Sequence, residues 1–292
     1  MAYQLPMFPQ QEKIVNVASV PHRSPFRYPG GKTWFVPRLR KWLAYLPAKP
    51  KAFIEPFAGG AIVGLTVAFE NLAEHVTLVE RDHQIAAVWR TILEGDGEWL
   101  ADRIVAFDLT IDAVKAELDR TDVSLKEQAF QTILKNRVNR GGILAPGAGM
   151  VKHGENGKGI ASRWYPETLS KRIRKIVAIR ERITFTEGDA FDVIDQNKAR
   201  QDAVFFIDPP YTAGGKKAGN RLYTHFELDH EKLFYLSAQT AGDFLMTYSN
   251  DETVRGLAQT HHFASKEIAM KNTHHAKMTE LLIGRDLSWD DN

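Results

Sequence analysis

The sequence predicts an α/β protein with a parallel sheet that is interrupted by a helical, glycine-rich insertion. Short apolar strands alternate with amphipathic helices near both ends of the chain. Residues 96–140 carry helical patterns without strands, and residues 141–160 hold seven of the 21 glycines. Strand–helix alternation favours parallel strands joined by crossover helices. We therefore predict a sheet domain formed by residues 1–84 and 181–292, with residues 85–180 inserted into it.

The element boundaries follow from apolar runs that end at proline, glycine or acidic residues. The predicted strands are Lys51–Glu55, His75–Glu80, Ile183–Glu187, Ala203–Asp208, Phe244–Tyr248, His262–Ala269 and Glu280–Gly284. The predicted helices before residue 96 are Thr33–Tyr45, Gly60–Asn71 and His83–Leu93. Within the insertion, Ser124 and Glu127 have the spacing of a capping box, and residues 141–160 are predicted to be a long loop. Residues 1–20 are expected to be a flexible arm.

The amino-acid composition argues against several classes of protein, including disulfide-bonded, membrane-spanning and secreted proteins. The chain has 292 residues, 43% of them apolar, which is enough for a sizeable core. It has no cysteine, so disulfides, thiolate metal sites and a cysteine nucleophile are excluded. No apolar run approaches the roughly 20 residues of a membrane helix, and no secretion signal is visible. We expect a cytoplasmic protein, and the scattered histidines predict no metal site.

Charge is concentrated in one part of the chain. The net charge is +2, but Lys135–Arg182 contains twelve Lys or Arg and three acids. A basic block in a nearly neutral protein is typical of a surface that binds a polyanion such as nucleic acid. A solvated helix face is the alternative, because Lys171–Arg182 supplies six of the twelve cations.

The segment Gly31-Lys32-Thr33 ends like a nucleotide-binding P-loop. That motif requires a glycine where this chain has Phe26, and it follows a buried strand, which is not predicted here. An ATP-using enzyme is therefore disfavoured, and the Gly-Gly-Lys segment needs another explanation.

Two strand ends carry the candidate chemistry. In AFIEPFAGGAIVGL, Gly59 and Gly60 let a ligand approach the backbone at the start of a helix. Glu80 follows about twenty residues later, the spacing of an acid that binds ribose hydroxyls in doubly wound folds. In AVFFIDPPY, an apolar strand runs into Asp208-Pro209-Pro210-Tyr211, which holds a carboxylate, a carbonyl and an aromatic ring in fixed relation. A planar amine fits such a group.

On these motifs the chain resembles the Dam-type, or D12-class, DNA adenine-N6 methyltransferases. The resemblance covers most of the chain and lies in FRYPGGK, EPFAGG, the insertion and DPPY, in that order. It implies a Rossmann-like sheet that binds S-adenosylmethionine and an inserted target recognition domain. It also implies methyl transfer to an adenine flipped out of double-stranded DNA, without a metal. A cognate restriction enzyme encoded nearby is a partner that the resemblance leaves open.

The resemblance also assigns residues. Its catalytic group is Asp208, Pro209, Pro210 and Tyr211. Its cofactor contacts are Tyr28, Gly30, Gly31, Lys32, Glu55, Phe57, Gly59, Gly60, Glu80, Asp189, Phe191 and Asp208. Ala190 stands where the family often has an aromatic residue, so either Asp189 or Phe191 lies against the adenine ring of the cofactor.

The DNA contacts are expected in two places. Those in the insertion are Arg137, Asn139, Arg140, Lys152, Lys158 and Arg163, with Asn139 and Arg140 as readers of base edges. Those in the loop after DPPY are Lys216, Lys217 and Arg221. We expect a monomer or weak dimer that associates with the nucleoid through DNA.

Three alternatives stay open at this point. Cytosine amines are disfavoured because that class usually has serine in place of Asp208. RNA or protein amides are disfavoured because an N-P-P-Y form is usual there. A DNA-binding homologue with weak or no catalysis is the third alternative, and the intact DPPY motif argues against it.

Overall fold

A seven-stranded sheet organises the part of the chain that the computed structural model describes, which is residues 20–27, 31–211, 227–271 and 277–290. The strands are β1 Ala52–Glu55, β2 His75–Glu80, β3 Ile183–Glu187, β4 Ala203–Ile207, β5 Phe244–Ser249, β6 Ala264–Lys271 and β7 Lys277–Gly284. Their order is β3-β2-β1-β4-β5-β7-β6. The first five strands in this order are parallel, while β7 is antiparallel to both β5 and β6. The predicted α/β class with a mostly parallel, Rossmann-like sheet is confirmed.

Helices connect the strands. They are α1 Val36–Tyr45, α2 Ile62–Glu70, α3 His83–Leu93, α4 Gly97–Ala106, α5 Ile111–Leu118, α6 Leu125–Val138, α7 Pro166–Val177, α8 Ala190–Asn197, α9 His230–Ala238 and α10 Glu252–Thr260. The capping box of Ser124 and Glu127 at the start of α6 is confirmed. Helix α2 begins at Ile62 rather than Gly60 because Ala61 has a left-handed backbone, with φ +49°. Strand β6 begins after His262 for the same reason, with φ +55°.

The sheet is buried on both faces by two apolar clusters. Successive side chains of a strand point to opposite faces. Accordingly Val204 and Phe206 of β4 lie in one cluster, and Phe205 and Ile207 lie in the other. This double burial explains why β4 is a continuous apolar run, as central parallel strands usually are. Asp208 follows the last residue of β4 and therefore lies at the carboxyl edge of the parallel strands.

The segment between β2 and β3 packs on one face of the sheet. Trp89 of α3, Phe130 and Ile133 of α6, and Ile173 of α7 are fully buried in the same apolar cluster as Val204 and its neighbours. The helices therefore share their core with the sheet. After α6, the chain runs through short 3-10 turns and one isolated bridge between Asn139 and Met150. The division into a catalytic and a recognition domain stays a prediction.

Candidate active site

The Asp208 carboxylate lies at the carboxyl edge of the sheet, where three donors converge on one of its oxygens. Oδ1 accepts a hydrogen bond from Thr247 Oγ1 at 2.8 Å and from Tyr211 Oη at 2.9 Å. Lys32 Nζ lies 3.0 Å from the same oxygen. Oδ2 has no hydrogen-bond partner among the described residues. Because the side chain is half-buried rather than closed off, Oδ2 is the atom that a substrate donor can reach.

Lys32 is at the centre of this network. It opens a short 3-10 helix before α1 and is only 3% exposed. Its Nζ lies 2.7 Å from Tyr211 Oη and 3.3 Å from Glu280 Oε2, in addition to Asp208. Burial opposes the charge on Lys32, but the carboxylates of Asp208 and Glu280 outweigh it and raise the pKa of Lys32. The resemblance assigned Lys32 to the cofactor, whereas its ammonium is held here by two carboxylates.

Glu280 completes the network from β7. It is 5% exposed, and its Oε2 lies 3.0 Å from Tyr211 Oη. Burial raises the pKa of Glu280, partly offset by Lys32 and reinforced by Asp208. Burial and both carboxylates also raise the pKa of Tyr211 well above its ordinary value, so the hydroxyl keeps its proton. The Tyr211 ring stacks on Tyr248, with a centroid distance of 6.0 Å.

Sequence reasoning missed Glu280 and Thr247. Glu280 directly precedes the buried residues Leu281, Leu282 and Ile283, and Thr247 lies between the buried residues Met246 and Tyr248. A charged residue at a buried strand position is rare unless it is paired, so Glu280 did carry a signal in the sequence. Thr247 carried none, because a threonine is ordinary in a strand.

The turn after β1 places a second buried acid. Glu55 is 3% exposed, and its Oε2 accepts a hydrogen bond from Gly64 N at 2.7 Å. Gly64 is required there, because an added Cβ would lie 2.5 Å from Glu55 Oε2. Burial raises the pKa of Glu55 well above its ordinary value; the Gly64 N–H counters this shift, and the charge of Asp208 adds to it. Glu55 Oε1 has no partner among the described residues.

Glu80 ends β2 and faces the same turn. Oε2 accepts from Gly59 N at 2.9 Å, and Oε1 accepts from Arg81 N and Asp82 N, each at 2.8 Å. Burial raises the pKa of Glu80 to about 7, although these backbone donors act against the shift. Trp89 Nε1 donates to Gly59 O at 2.9 Å, so both backbone groups of Gly59 are fixed.

The structure also describes the other residues that were predicted to contact the cofactor. Gly60 is buried in the turn, Phe57 packs half-buried against the second apolar cluster, and Gly31 is exposed before the 3-10 helix. Asp189 caps α8 by accepting a hydrogen bond from Phe191 N at 2.8 Å. Phe191 is half-buried, and the ammonium of Lys232 lies 4.8 Å from the centroid of its ring.

Two of the residues predicted to contact DNA, Arg137 and Asn139, are buried in the described structure. Arg137 is 4% exposed and donates to the Pro25 carbonyl oxygen, and Asn139 is buried and donates to Ile143 O at 2.9 Å. Burial, reinforced by neighbouring arginines, lowers the pKa of Arg137 to about 9. Both residues lie at the C-terminal end of α6. They were predicted to be exposed because their side chains are polar.

The other basic residues predicted to contact DNA are exposed, half-buried or outside the described residues. Arg140, Lys152 and Lys158 are exposed, and Arg163 is half-buried. Outside the described residues lie Tyr28, Gly30, Lys216, Lys217, Arg221 and residues 1–19, which make up nearly all of the predicted arm.

No group of three or more His, Asp or Glu side chains is arranged to hold a metal ion in the part of the chain described. Among the helices described, none combines the length and the apolar character needed to cross a membrane.

Neither a protein-family model nor a curated protein matches the sequence. Similar solved structures include an rRNA methyltransferase from Streptomyces viridochromogenes, 16% identical, with a TM-score of 0.39, covering 88% of this chain and 86% of that one. They also include a precorrin-6y C5,15-methyltransferase from Geobacter metallireducens, 11% identical, with a TM-score of 0.36 and coverage of 84% and 86%. A tRNA methyltransferase from B. subtilis is 10% identical, with a TM-score of 0.36 and coverage of 87% and 67%. At these TM-scores the fold assignment rests on the strand order of the chain itself.

Proposed function

We propose that this chain is an S-adenosylmethionine-dependent methyltransferase that acts on the N6 amine of adenine in double-stranded DNA. The observation that carries the proposal is the position of Asp208-Pro209-Pro210-Tyr211 at the carboxyl edge of β4, with Asp208 Oδ2 left without a partner among the described residues. Ligands of open α/β sheets bind at this edge. The Dam-type resemblance supplies the finer assignment of substrate and atom.

The residues at the edge fit the cofactor. Glu80 Oε2 accepts one hydrogen bond and keeps a lone pair for a ribose hydroxyl. Glu55 is a buried carboxylate with one donor, so an ammonium group would relieve the cost of its charge. Acids outnumber bases around the site, since Asp208 and Glu280 both pair with Lys32 and Glu55 lies close enough to Asp208 for the two charges to interact. That balance favours a ligand with positive charge, and S-adenosylmethionine is such a ligand.

In this proposal the residues of the chain position the adenine amine for methyl transfer. When bound, S-adenosylmethionine supplies a methyl group on a sulfonium centre. Asp208 Oδ2 accepts one N–H of the adenine amine, and the Pro209 carbonyl accepts the other. The two acceptors draw the nitrogen lone pair out of the ring and point it at the methyl group. Such orientation, together with negative charge beside the developing cation, lowers the barrier to an in-line displacement. In that step the new N–C bond replaces the methyl–sulfur bond, the sulfur leaves as a neutral thioether, and the cationic nitrogen then loses one proton to Asp208 or water.

The basic segment Lys135–Arg182 supports nucleic acid as the class of substrate. The exposed side chains of Arg140, Lys152 and Lys158 lie in the segment Lys135–Arg182, where twelve Lys or Arg stand against three acids. Phosphate contacts of this kind position a protein on nucleic acid without specifying sequence. A duplex substrate also requires flipping of the adenine, which costs a few kcal/mol. Residues 85–180 as a recognition domain, a cognate restriction enzyme and association with the nucleoid belong to this proposal.

The experiment is methyl transfer from labelled S-adenosylmethionine to unmethylated genomic DNA, followed by modification-sensitive sequencing. We expect N6-methyladenine in one short motif, and loss of transfer with retained DNA affinity in Asp208→Asn. Total RNA under the same conditions is the parallel arm. Label in RNA and none in DNA would contradict the DNA proposal. Cofactor binding without transfer to either would favour a homologue without catalysis.

A further inference from the structure

Two carboxylates compete for the same donors in the Asp208 network. Tyr211 Oη lies 2.9 Å from Asp208 Oδ1 and 3.0 Å from Glu280 Oε2. A phenol has one proton, so it donates to one of the two carboxylates at a time. Lys32 Nζ is shared in the same way, at 3.0 Å from Asp208 and 3.3 Å from Glu280. Glu280 therefore draws both donors partly away from Asp208.

The charges in this network do not cancel. One ammonium faces two carboxylates, and Lys32 and Glu280 are almost fully buried. Without Glu280, Lys32 and Asp208 would form a neutral pair. With Glu280 ionised, the group keeps one net negative charge beside Asp208 Oδ2. In a site shielded from water, such a charge acts more strongly on a developing cation than it would in solvent.

We propose that Glu280 is a positioning residue that keeps the Asp208 network anionic, so that Asp208 can accept the amine hydrogen and stabilise the cationic nitrogen formed during methyl transfer. The inference rests on the proposed function and adds to it a residue from β7. Glu280 does not touch the substrate. It acts through Lys32 and Tyr211, which hold Asp208 Oδ1 while Oδ2 faces the ligand.

A charge role and a packing role make opposite predictions for a double variant. Glu280→Gln keeps the shape of the side chain and makes the network neutral. Combining it with Lys32→Met removes one charge of each sign and restores one net negative charge at Asp208. If charge decides, the double variant transfers methyl groups faster than Glu280→Gln alone. If Glu280 only fills space, the double variant is slower, because it loses two interactions.

The experiment uses single-turnover methyl transfer with the wild-type chain, Glu280→Gln, Lys32→Met and the double variant. We expect Glu280→Gln to slow transfer by about 10-fold or more and the double variant to recover part of that loss. The dissociation constant for S-adenosylmethionine should change much less than the rate. Glu74→Gln, at an exposed position before β2, is the matched control and should behave as wild type. An unchanged rate in Glu280→Gln, or a double variant slower than it, would overturn the inference.

Urea unfolding of the same proteins tests the charge coupling without any activity. Lys32→Met leaves the buried carboxylate of Glu280 and the half-buried carboxylate of Asp208 without their cation, which is destabilising. Adding Glu280→Gln should recover stability, so the two substitutions should be far from additive. Additive effects would overturn the inference. A wild-type chain that methylates neither DNA nor RNA but shows this coupling would reject the proposed function and leave the charge network standing.

Discussion

The Glu80 carboxylate accepts a hydrogen bond from the backbone N–H of Gly59 at 2.9 Å, which ties the end of β2 to the turn after β1. Trp89 holds the carbonyl of the same glycine from α3. The acid and the turn therefore keep a fixed relation, and a ligand that uses both meets a preorganised surface. Preorganisation of this kind lowers the cost of ordering on binding.

The first prediction concerns pH and Glu80. Burial raises the pKa of Glu80 to about 7, so the carboxylate takes up a proton as the pH falls through neutrality. The charged form accepts hydroxyl hydrogen bonds best, and we expect S-adenosylmethionine affinity to weaken between pH 7.5 and 6. Calorimetric titration at several pH values measures this. Glu80→Gln should bind more weakly and lose the pH dependence; an equal slope in both proteins would contradict the assignment.

The second prediction concerns two glycines inside helices. A Cβ on Gly64 would lie 2.5 Å from both Glu55 Oε2 and Leu78 Cδ2. We expect Gly64→Ala to lower the free energy of unfolding by about 1–3 kcal/mol through overpacking. Gly256 in α10 has no atom within 4 Å of the same position. Gly256→Ala should raise stability by about 0.5–1 kcal/mol, because alanine is the better helix former. Urea denaturation compares them, and a harmless Gly64→Ala would count against the described turn.

The third prediction concerns a clamp on the chain before Lys32. Asn136 is fully buried; its Oδ1 accepts from Arg27 N and its Nδ2 donates to Arg27 O, each at 2.8 Å. Asn136→Ala leaves buried backbone groups unpaired, and we expect a loss of about 1–3 kcal/mol for each unpaired group in urea denaturation. Gln128→Ala on the same helix is the control and should change stability little. A loss of under about 0.5 kcal/mol in Asn136→Ala would show that the clamp is not made in solution.

The fourth prediction separates exposed from buried cations. Lys152→Ala and Lys158→Ala should each weaken DNA binding and reduce the slope of log K against log salt by about 0.9 if the residue contacts a phosphate. Arg137→Met removes a buried charge and should leave that slope unchanged. Fluorescence anisotropy at several salt concentrations gives the slopes. A reduced slope in Arg137→Met would restore Arg137 as a DNA contact.

Local patterns predicted much of the fold but only part of the site. Strand His75–Glu80 and helix His83–Leu93 have the predicted bounds, because apolar period and capping act over a few residues. The proximity of Glu80 and Gly59 could also be predicted from the sequence, since both lie at the ends of adjacent strands. The backbone conformation of the turn could not be predicted, because nothing in the sequence marks Ala61 as left-handed.

The partners of Asp208 depend on distant parts of the chain. Thr247 lies 39 residues after Asp208, and Glu280 lies 69 residues after Tyr211. Thr247 is placed by the parallel pairing of β5 with β4, and Glu280 is placed by the antiparallel pairing of β7 with β5. No local signal specifies either pairing. Similarly, Arg137 and Asn139 are polar residues that would ordinarily be exposed, whereas Arg137 is buried with the Pro25 carbonyl as its partner and Asn139 is buried with the Ile143 carbonyl as its partner.

The placement of β7 between β5 and β6 has a consequence for how the chain is made. Lys32 leaves the ribosome before Tyr211, its hydroxyl partner, which follows 179 residues later. Glu280 comes later still, on the last strand of the described sheet in chain order. The polar network therefore closes only after β7 has been synthesised. A nascent chain that ends before β7 lacks Glu280, one of the two described carboxylates that pair with Lys32, and it also lacks the strand that joins β5 to β6.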